Sequence, residues 1–197
     1  MKQAKMPAIV LGSASPRRRE ILARVCPDFR VLVSAAKELI DQTLPPEQVC
    51  QALAGQKADA LLPEIAAEEL LICADTVVAL DGLILGKPED EADARRMLRL
   101  LSGRAHQVYT GLCLVKGEKR VYDVSGGQVF FAPLSEGMID WYVRSGEPMD
   151  KAGAYGIQGK GAALIERMAG DYSAVVGLPL QRLATLMEKD FAIGPFA

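Results

Sequence analysis

An eleven-residue run, Leu70–Leu80, contains a single charged side chain, Asp75, among residues that are otherwise apolar except for Thr76. Branched residues at this density favour a strand, and Asp81-Gly82 directly after it is a hairpin turn that returns the chain through Leu83–Leu85. A carboxylate set in such a run is at least partly desolvated, and an unpaired buried carboxylate is expensive. Asp75 therefore calls for a cation nearby, whether lysine, arginine or metal ion. The alternative is that it marks a strand end or bulge and faces solvent.

The rest of the chain alternates strands and helices. Ala8–Leu11 is a short apolar strand ended by Gly12, and Ser15-Pro16 reads as an N-cap followed by proline at the first helical position. Ile21, Leu22 and Val25 supply that helix's apolar stripe, and Val31–Ser34 suits a second strand. Pro46–Leu62 has the spacing of a helix with Val49, Leu53, Ala60 and Leu61 inward, and Gly55 weakens it. Pro88 and the acidic stretch Glu89–Asp93 open a helix with Ala94, Met97, Leu98 and Leu101 at core positions and Ser102-Gly103 as its stop. His106–Val115 and Val121–Val124 read as paired strands around Lys116–Arg120, followed by a further strand at Gln128–Ala132. Ser135–Ser145 is a short helix, a glycine-rich stretch Gly153–Gly161 precedes a strand at Ala162–Glu166, and the last helix starts at Leu178-Pro179 and buries Leu180, Leu183, Ala184 and Met187. Interleaved strands and helices with several hairpins predict an α/β fold with a mixed, twisted sheet and flanking helices.

Composition narrows the function. Of 197 residues 50% are hydrophobic and 24% are charged, which supplies a full core and argues against wholesale disorder. Lys plus Arg number 23 against 25 Asp plus Glu, for a formal net charge of -2, so nucleic acid is not the expected partner. The cysteines Cys26, Cys50, Cys73 and Cys113 form no CxxC pair, and one histidine is too few for a Cys/His zinc site. Scattered thiols in a chain of this size fit a reducing compartment, the apolar stretch near the N-terminus, Ala8–Leu11, is far short of a signal-peptide core, and no run approaches the roughly 20 residues of a membrane span. The expectation is a cytoplasmic protein with no membrane partner.

Charge placement supplies the next clue. The helix at 90–101 has Glu91 and Asp93 in its first turn and Arg99 near its end, as the helix dipole prefers. The helix beginning at Pro16 does the reverse, with Arg17, Arg18 and Arg19 at its positive end. Each such charge costs about 0.3–1 kcal/mol when exposed. A bound polyanion would relieve the cost, because free helix N–H groups and guanidinium forks both favour phosphate oxygens; arginines splayed into water would also reduce it. Lys87 sits on a stiff turn between Gly86 and Pro88, but the segment Gly82–Pro88 is one residue short of a P-loop and has proline where Ser or Thr is required. Between Asp150 and Gly161, closely spaced glycines let backbone groups approach a ligand, and Gln158 brings an amide that both donates and accepts. His106 reads as a structural histidine, and Trp141 and Tyr142 as core or dimer surface rather than a base-stacking platform.

Together these residues resemble the Maf family of nucleoside triphosphate pyrophosphatases. The signatures are Ser13-Ala14-Ser15-Pro16-Arg17-Arg18, Ala74-Asp75-Thr76-Val77-Val78, Gly86-Lys87-Pro88, Leu101-Ser102-Gly103-Arg104-Ala105-His106, Asp150–Gly159 and Val176-Gly177-Leu178-Pro179-Leu180. Each motif alone is weak; in this order, over nearly the whole chain, they are specific. The resemblance implies one Maf-like domain over 1–197, with two lobes around a deep cleft, related to inosine triphosphate pyrophosphatases and commonly a homodimer. It also implies a branch: members acting on dTTP and UTP carry Arg, Thr and Gln where this chain has Arg17, Thr76 and Gln158, whereas the 7-methyl-GTP branch has Trp, Gln and Glu. Glu38 and Lys57 match a carboxylate and a lysine of the family cleft through the short pairs Lys37-Glu38 and Gln56-Lys57. One departure is Gly126-Gly127, which replaces β-branched residues before Val129 and puts the continuity of that strand in question.

The resemblance implies a substrate, a nucleoside triphosphate bound with Mg²⁺ or Mn²⁺, cut between the α- and β-phosphates. Asp75 would be the proton acceptor or a metal ligand, with Glu38 the second carboxylate for the metal. Arg17, Arg18, Lys57 and Lys87, with Ser13, would hold the triphosphate; Arg17, Thr76 and Gln158 would set the specificity, Thr76 and Gln158 reading the pyrimidine edge. Two other classes stand beside this one. A non-catalytic nucleotide-binding regulator of cell division and septum formation would bind nucleotide without metal-dependent hydrolysis. An RNA-binding module would show steep salt dependence and is disfavoured by the charge balance.

Overall fold

The computed structural model describes residues 7–35 and 38–193; Lys37 of the Lys37-Glu38 pair lies outside them. A mixed sheet of seven strands runs in the order β2-β1-β3-β5-β6-β7, with β4 paired to β3. The strands are β1 (Ile9–Gly12), β2 (Phe29–Leu32), β3 (Leu70–Leu80), β4 (Leu83–Leu85), β5 (Ala105–Lys116), β6 (Lys119–Phe131) and β7 (Ile165–Gly170). The helices are α1 (Pro16–Ala23), α2 (Pro46–Leu61), α3 (Glu91–Leu101), α4 (Glu136–Val143), α5 (Tyr172–Val176) and α6 (Leu180–Phe191). β1 is parallel to both β2 and β3, whereas the hairpin-connected strands are antiparallel. Among the described residues no helix is long and apolar enough to cross a membrane.

Apart from Asp75 and Thr76, β3 is apolar because both its faces are covered. Leu71 and Cys73 pack under α2 with Ala54, Ala58 and Leu61. The alternate residues Leu70, Ile72 and Ala74 pack against Ile21 and Leu22 of α1 and Leu183 and Met187 of α6. Further along, Val78 and Leu80 enter a third cluster with Ala94, Leu98 and Leu101 of α3. Successive side chains of a strand point to opposite faces, so Asp75 belongs to the α2 side and Thr76 to the α1 side. The turn after β3 has Asp81 at φ 51° and Gly82 at φ 83°, the paired left-handed conformations of a type I′ hairpin.

Several boundaries differ from those the sequence suggests. β2 lies at Phe29–Leu32 rather than Val31–Ser34. Ala60 is exposed: the buried stripe of α2 runs Cys50, Ala54, Ala58, Leu61 at helical spacing and leaves Ala60 on the outer side. The segments Val121–Val124 and Gln128–Phe131 belong to one continuous strand, β6, which ends one residue before Ala132. Gly126-Gly127 maintains that strand: a Cβ at Gly126 would stand 2.4 Å from the Val108 carbonyl oxygen, and one at Gly127 2.8 Å from that of Ala169. The close approach of β5 and β7 excludes the β-branched side chains usual at such positions. The final strand begins at Ile165, not Ala162, because Gly159–Leu164 coils as a 3₁₀ segment. In α6 the buried residues are Leu183, Leu186 and Met187, while Leu180 and Ala184 are half-covered.

His106 is structural, as expected. It is 2% exposed, its Nε2 lies 2.7 Å from the Tyr155 hydroxyl, and its ring meets Phe131 and Tyr155 edge-on. Burial lowers its pKa to about 4. The unfolded chain, with a pKa near 6.5, binds the proton more readily, so stability is complete above about pH 6.5 and drains away as pH falls toward 4. The shift corresponds to a loss of about 3 kcal/mol across that window. In His106→Gln, thermal melts between pH 7 and pH 4 should show a shallower acid-side decline than in the parent; parallel curves would remove His106 as the cause.

Candidate active site

The site arises from a gap in the ladder along one edge of β3. On that edge β1 pairs as far as Gly12 opposite Cys73, and β4 pairs only from Val78 onward, where its last residue, Leu85, lies opposite. β5 covers the other edge from Leu71 to Ala79. Residues Ala74–Val77 therefore face an opening between the end of β1 and the end of β4, where side chains from both faces of β3 reach one space. Ligands of open α/β sheets bind at such positions beyond strand carboxyl ends. The opening continues into a cleft of about 720 Å³, within the range that holds a small organic ligand.

Asp75 is 8% exposed and forms an ion pair with Lys57, which projects from α2. The same Lys57 Nζ lies 3.1 Å from Glu38 Oε1. The cation that the buried carboxylate calls for is thus a lysine, shared with a second, more exposed carboxylate. Its proximity follows from α2, whose backbone lies directly over Gly111, the residue of β5 opposite Asp75.

On the other face of β3, the loop between β1 and α1 brings in the arginines. The Ser15 hydroxyl caps α1 by accepting from the Arg18 amide. Arg18 turns inward: Nε donates to the Gly177 carbonyl at 2.7 Å, Nη1 to Ser13 Oγ at 3.2 Å and Nη2 to Thr76 Oγ1 at 2.9 Å. Burial lowers the pKa of its guanidinium, and the charge of Asp75 pulls it back up. Arg17 is half-buried on the cleft wall, whereas Arg19 is exposed and absent from the lining. The expected crowding of three arginines thus resolves into one anchored guanidinium, one on the wall of the cleft and one in water.

Lys87 and Gln158 complete the ring. Lys87 is exposed at the cleft mouth just after β4, and Gln158 is half-buried in the glycine-rich loop. A carboxylate fixes that loop: Glu147 accepts from the Lys160 amide at 3.0 Å, the Gly161 amide at 3.1 Å and the Tyr142 hydroxyl at 3.1 Å. The Tyr142 oxygen in turn accepts from the Gly156 amide at 3.1 Å. Tyr142 is accordingly a fully buried anchor, while Trp141 beside it is exposed. All the residues singled out for the site, Ser13, Arg17, Arg18, Glu38, Lys57, Asp75, Thr76, Lys87 and Gln158, line this one cleft.

Lys151, also on the lining, was not singled out as a ligand contact. Its Nζ donates to the Glu147 carbonyl at 2.5 Å and to Asp150 Oδ1 at 2.6 Å, so its charge is partly spent within the loop. Burial raises the Asp150 carboxyl, but the hydrogen bond from Lys151 and the charges of Lys151 and Arg17 outweigh it and leave the pKa below the usual value. Thr110, behind Thr76, carried no sequence signal.

In class, the architecture is that of the HAM1 proteins: a HAM1 protein from Coxiella burnetii superimposes with a TM-score of 0.50 at 15% identity, covering 93% of this chain and 100% of that one. The family is narrower. Residues 8–190 match the family model described as Maf-like protein. The chain belongs to the Maf family. It is 47% identical over 178 residues to a dTTP/UTP pyrophosphatase of Bacillus cytotoxicus, covering 90% of this chain and 93% of that protein. It is likewise 47% identical over 185 residues to one from Thermococcus gammatolerans, covering 94% and 98%.

Proposed function

We propose that this protein is a nucleoside triphosphate pyrophosphatase that hydrolyses dTTP and UTP to the nucleoside monophosphate and pyrophosphate. The observation that carries the reading is the convergence, at one gap in the sheet, of the buried acid Asp75 with Arg17, Arg18, Lys57 and Lys87. The relatives named dTTP/UTP pyrophosphatase at 47% identity support the same substrate pair.

In this reading the triphosphate lies across the gap. Water attacks the α-phosphorus in line with the bond to the β-phosphoryl oxygen, which breaks as pyrophosphate leaves. The Asp75 carboxylate accepts the proton that the water gives up, and Lys57 holds that carboxylate in place from α2. Arg17, Arg18 and Lys87 offset the charge on the phosphate oxygens, and preformed donors of this kind stabilise charge more effectively in a cleft than in bulk water. Ser13 keeps Arg18 aimed inward.

Glu38 and Asp75 are the residues that would hold a divalent cation, Mg²⁺ or Mn²⁺. The fit is one of donor chemistry: two carboxylates, hard oxygen donors, converge on a single point, which the Lys57 ammonium occupies. Among the described residues no three His, Cys, Asp or Glu side chains form an all-protein cage, and one or two carboxylates completed by substrate phosphates are the usual donor set for Mg²⁺. When bound, such an ion neutralises phosphate charge and polarises the reacting phosphoryl group.

Gln158 is the base-reading residue of the loop that Glu147 fixes. A panel of nucleoside triphosphates assayed with Mg²⁺, with Mn²⁺ and with EDTA, scoring pyrophosphate against phosphate, tests the assignment. Metal-dependent pyrophosphate release with UTP and dTTP is expected; nucleotide binding without hydrolysis would leave a non-catalytic regulator. In the same panel Gln158→Glu should change the preference between bases by about tenfold or more, because a wrong base leaves buried polar groups unpaired, with less effect on inhibition by tripolyphosphate. An equal loss of rate with every triphosphate would make Gln158 a purely structural residue.

A further inference from the structure

Behind Thr76 lies a chain of hydrogen bonds whose direction can be read without ambiguity. Thr76 on β3 pairs directly with Thr110 on β5. Their hydroxyl oxygens are 2.7 Å apart, and Thr110 Oγ1 is 2.7 Å from the carbonyl oxygen of Ala174 in α5. Thr110 is completely buried. A hydroxyl has one proton, and a carbonyl only accepts. The Thr110 proton therefore goes to Ala174, and the proton shared between the two threonines must come from Thr76. Arg18 Nη2 meanwhile donates to Thr76 Oγ1 at 2.9 Å, occupying one of its two lone pairs. What remains on the half-buried Thr76 oxygen, facing the cleft, is a single acceptor position.

We infer that Thr110 is a specificity-determining positioning residue: by taking up the Thr76 proton, it makes Thr76 an obligate acceptor that selects a base presenting an N–H donor. The inference rests on the proposed reading in which the cleft takes dTTP and UTP. Uracil and thymine present an N3–H on their pairing edge, whereas cytosine presents a bare N3 acceptor there. An acceptor facing an acceptor forms no bond and leaves both groups desolvated. A freely rotating hydroxyl would serve either base, so the discrimination made at Thr76 comes from Thr110, which is completely buried behind it.

The test compares the parent protein with Thr110→Val, which keeps the shape and removes the hydroxyl, and with Thr110→Ser, which restores it. kcat/KM is measured for UTP, dTTP and CTP, alongside inhibition by tripolyphosphate, which reports on the phosphate-binding part of the cleft alone. In Thr110→Val the UTP-over-CTP preference should fall by about tenfold or more, with tripolyphosphate inhibition unchanged, and Thr110→Ser should recover the preference. A preference unchanged in the valine variant overturns the inference. If the parent itself makes no distinction between UTP and CTP, the reading of the base fails and the inference with it. Should the valine variant not fold, N3-methyl-UTP given to the parent protein provides the answer: kcat/KM at least about 100-fold below that for UTP is expected, and equal turnover overturns the role of Thr76 as an acceptor.

Discussion

Replacing Asp75 with asparagine should reduce pyrophosphate release by about 10²–10⁴-fold, the usual contribution of a positioned general base, while leaving nucleotide binding within a few-fold of the parent. Asparagine keeps the shape of the side chain and one oxygen toward Lys57, so the local packing under α2 is retained. What is lost is the basic carboxylate. Because the ion pair with Lys57 is mostly shielded, with side chains 11% and 16% exposed, the variant also leaves Lys57 facing Glu38 alone. Binding of UTP should persist because Arg17, Arg18 and Lys87 are untouched. Two further readouts separate the roles open to Asp75. If it accepts the proton, the acid limb of the pH–rate profile changes shape. If it holds the metal, the divalent-ion concentration for half-maximal rate rises instead. Unaltered turnover would exclude Asp75 from the chemistry.

Much of this site can be read from local sequence, and the reason is the cost of placing charge. A carboxylate inside Leu70–Leu80 is costly unless it is paired or reaches solvent, and arginines at the start of α1 oppose the helix dipole. Both anomalies point to the same cleft. The cap at Ser15, the acidic first turn of α3 and the hairpin at Asp81-Gly82 were equally legible, because each depends on residues a few positions apart. What was not legible depends on residues far apart in the chain. Arg18 is anchored on Gly177, 159 positions away, and Thr76 is oriented by Thr110 and a backbone carbonyl of α5, a helix of five residues too short to show a period. Gly126-Gly127 looks like an interruption when only strand propensity is considered. In the sheet it is a consequence of two neighbouring strands that leave no room for a Cβ.

Gly111 shows how such a steric condition reaches the chemistry. It lies opposite Asp75 on β5, and a Cβ there would stand 2.4 Å from the amide nitrogen of Gln51 and 2.6 Å from the Cys50 carbonyl oxygen, both in the backbone of α2. No side-chain rotation relieves a clash with backbone, so Gly111→Ala must lift α2 from the sheet. Overpacking of this kind costs about 1–3 kcal/mol, and in a chain of this size each kcal/mol lowers Tm by about 2–4 °C. A drop of roughly 6–12 °C is expected at the upper end of that range. Because α2 carries Lys57 and β3 carries Asp75, the same displacement separates the ion pair, and an error of about 1 Å in such a site costs on the order of 10² in rate. Gly111→Ala should therefore lose most of its kcat/KM even at temperatures where it remains folded. Gly137→Ala provides the control: its Cβ would meet only Ser135 Oγ, at 3.8 Å, and neither Tm nor rate should fall. A folded Gly111→Ala protein with full activity would show that the seating of α2 over β5 does not set the position of Lys57.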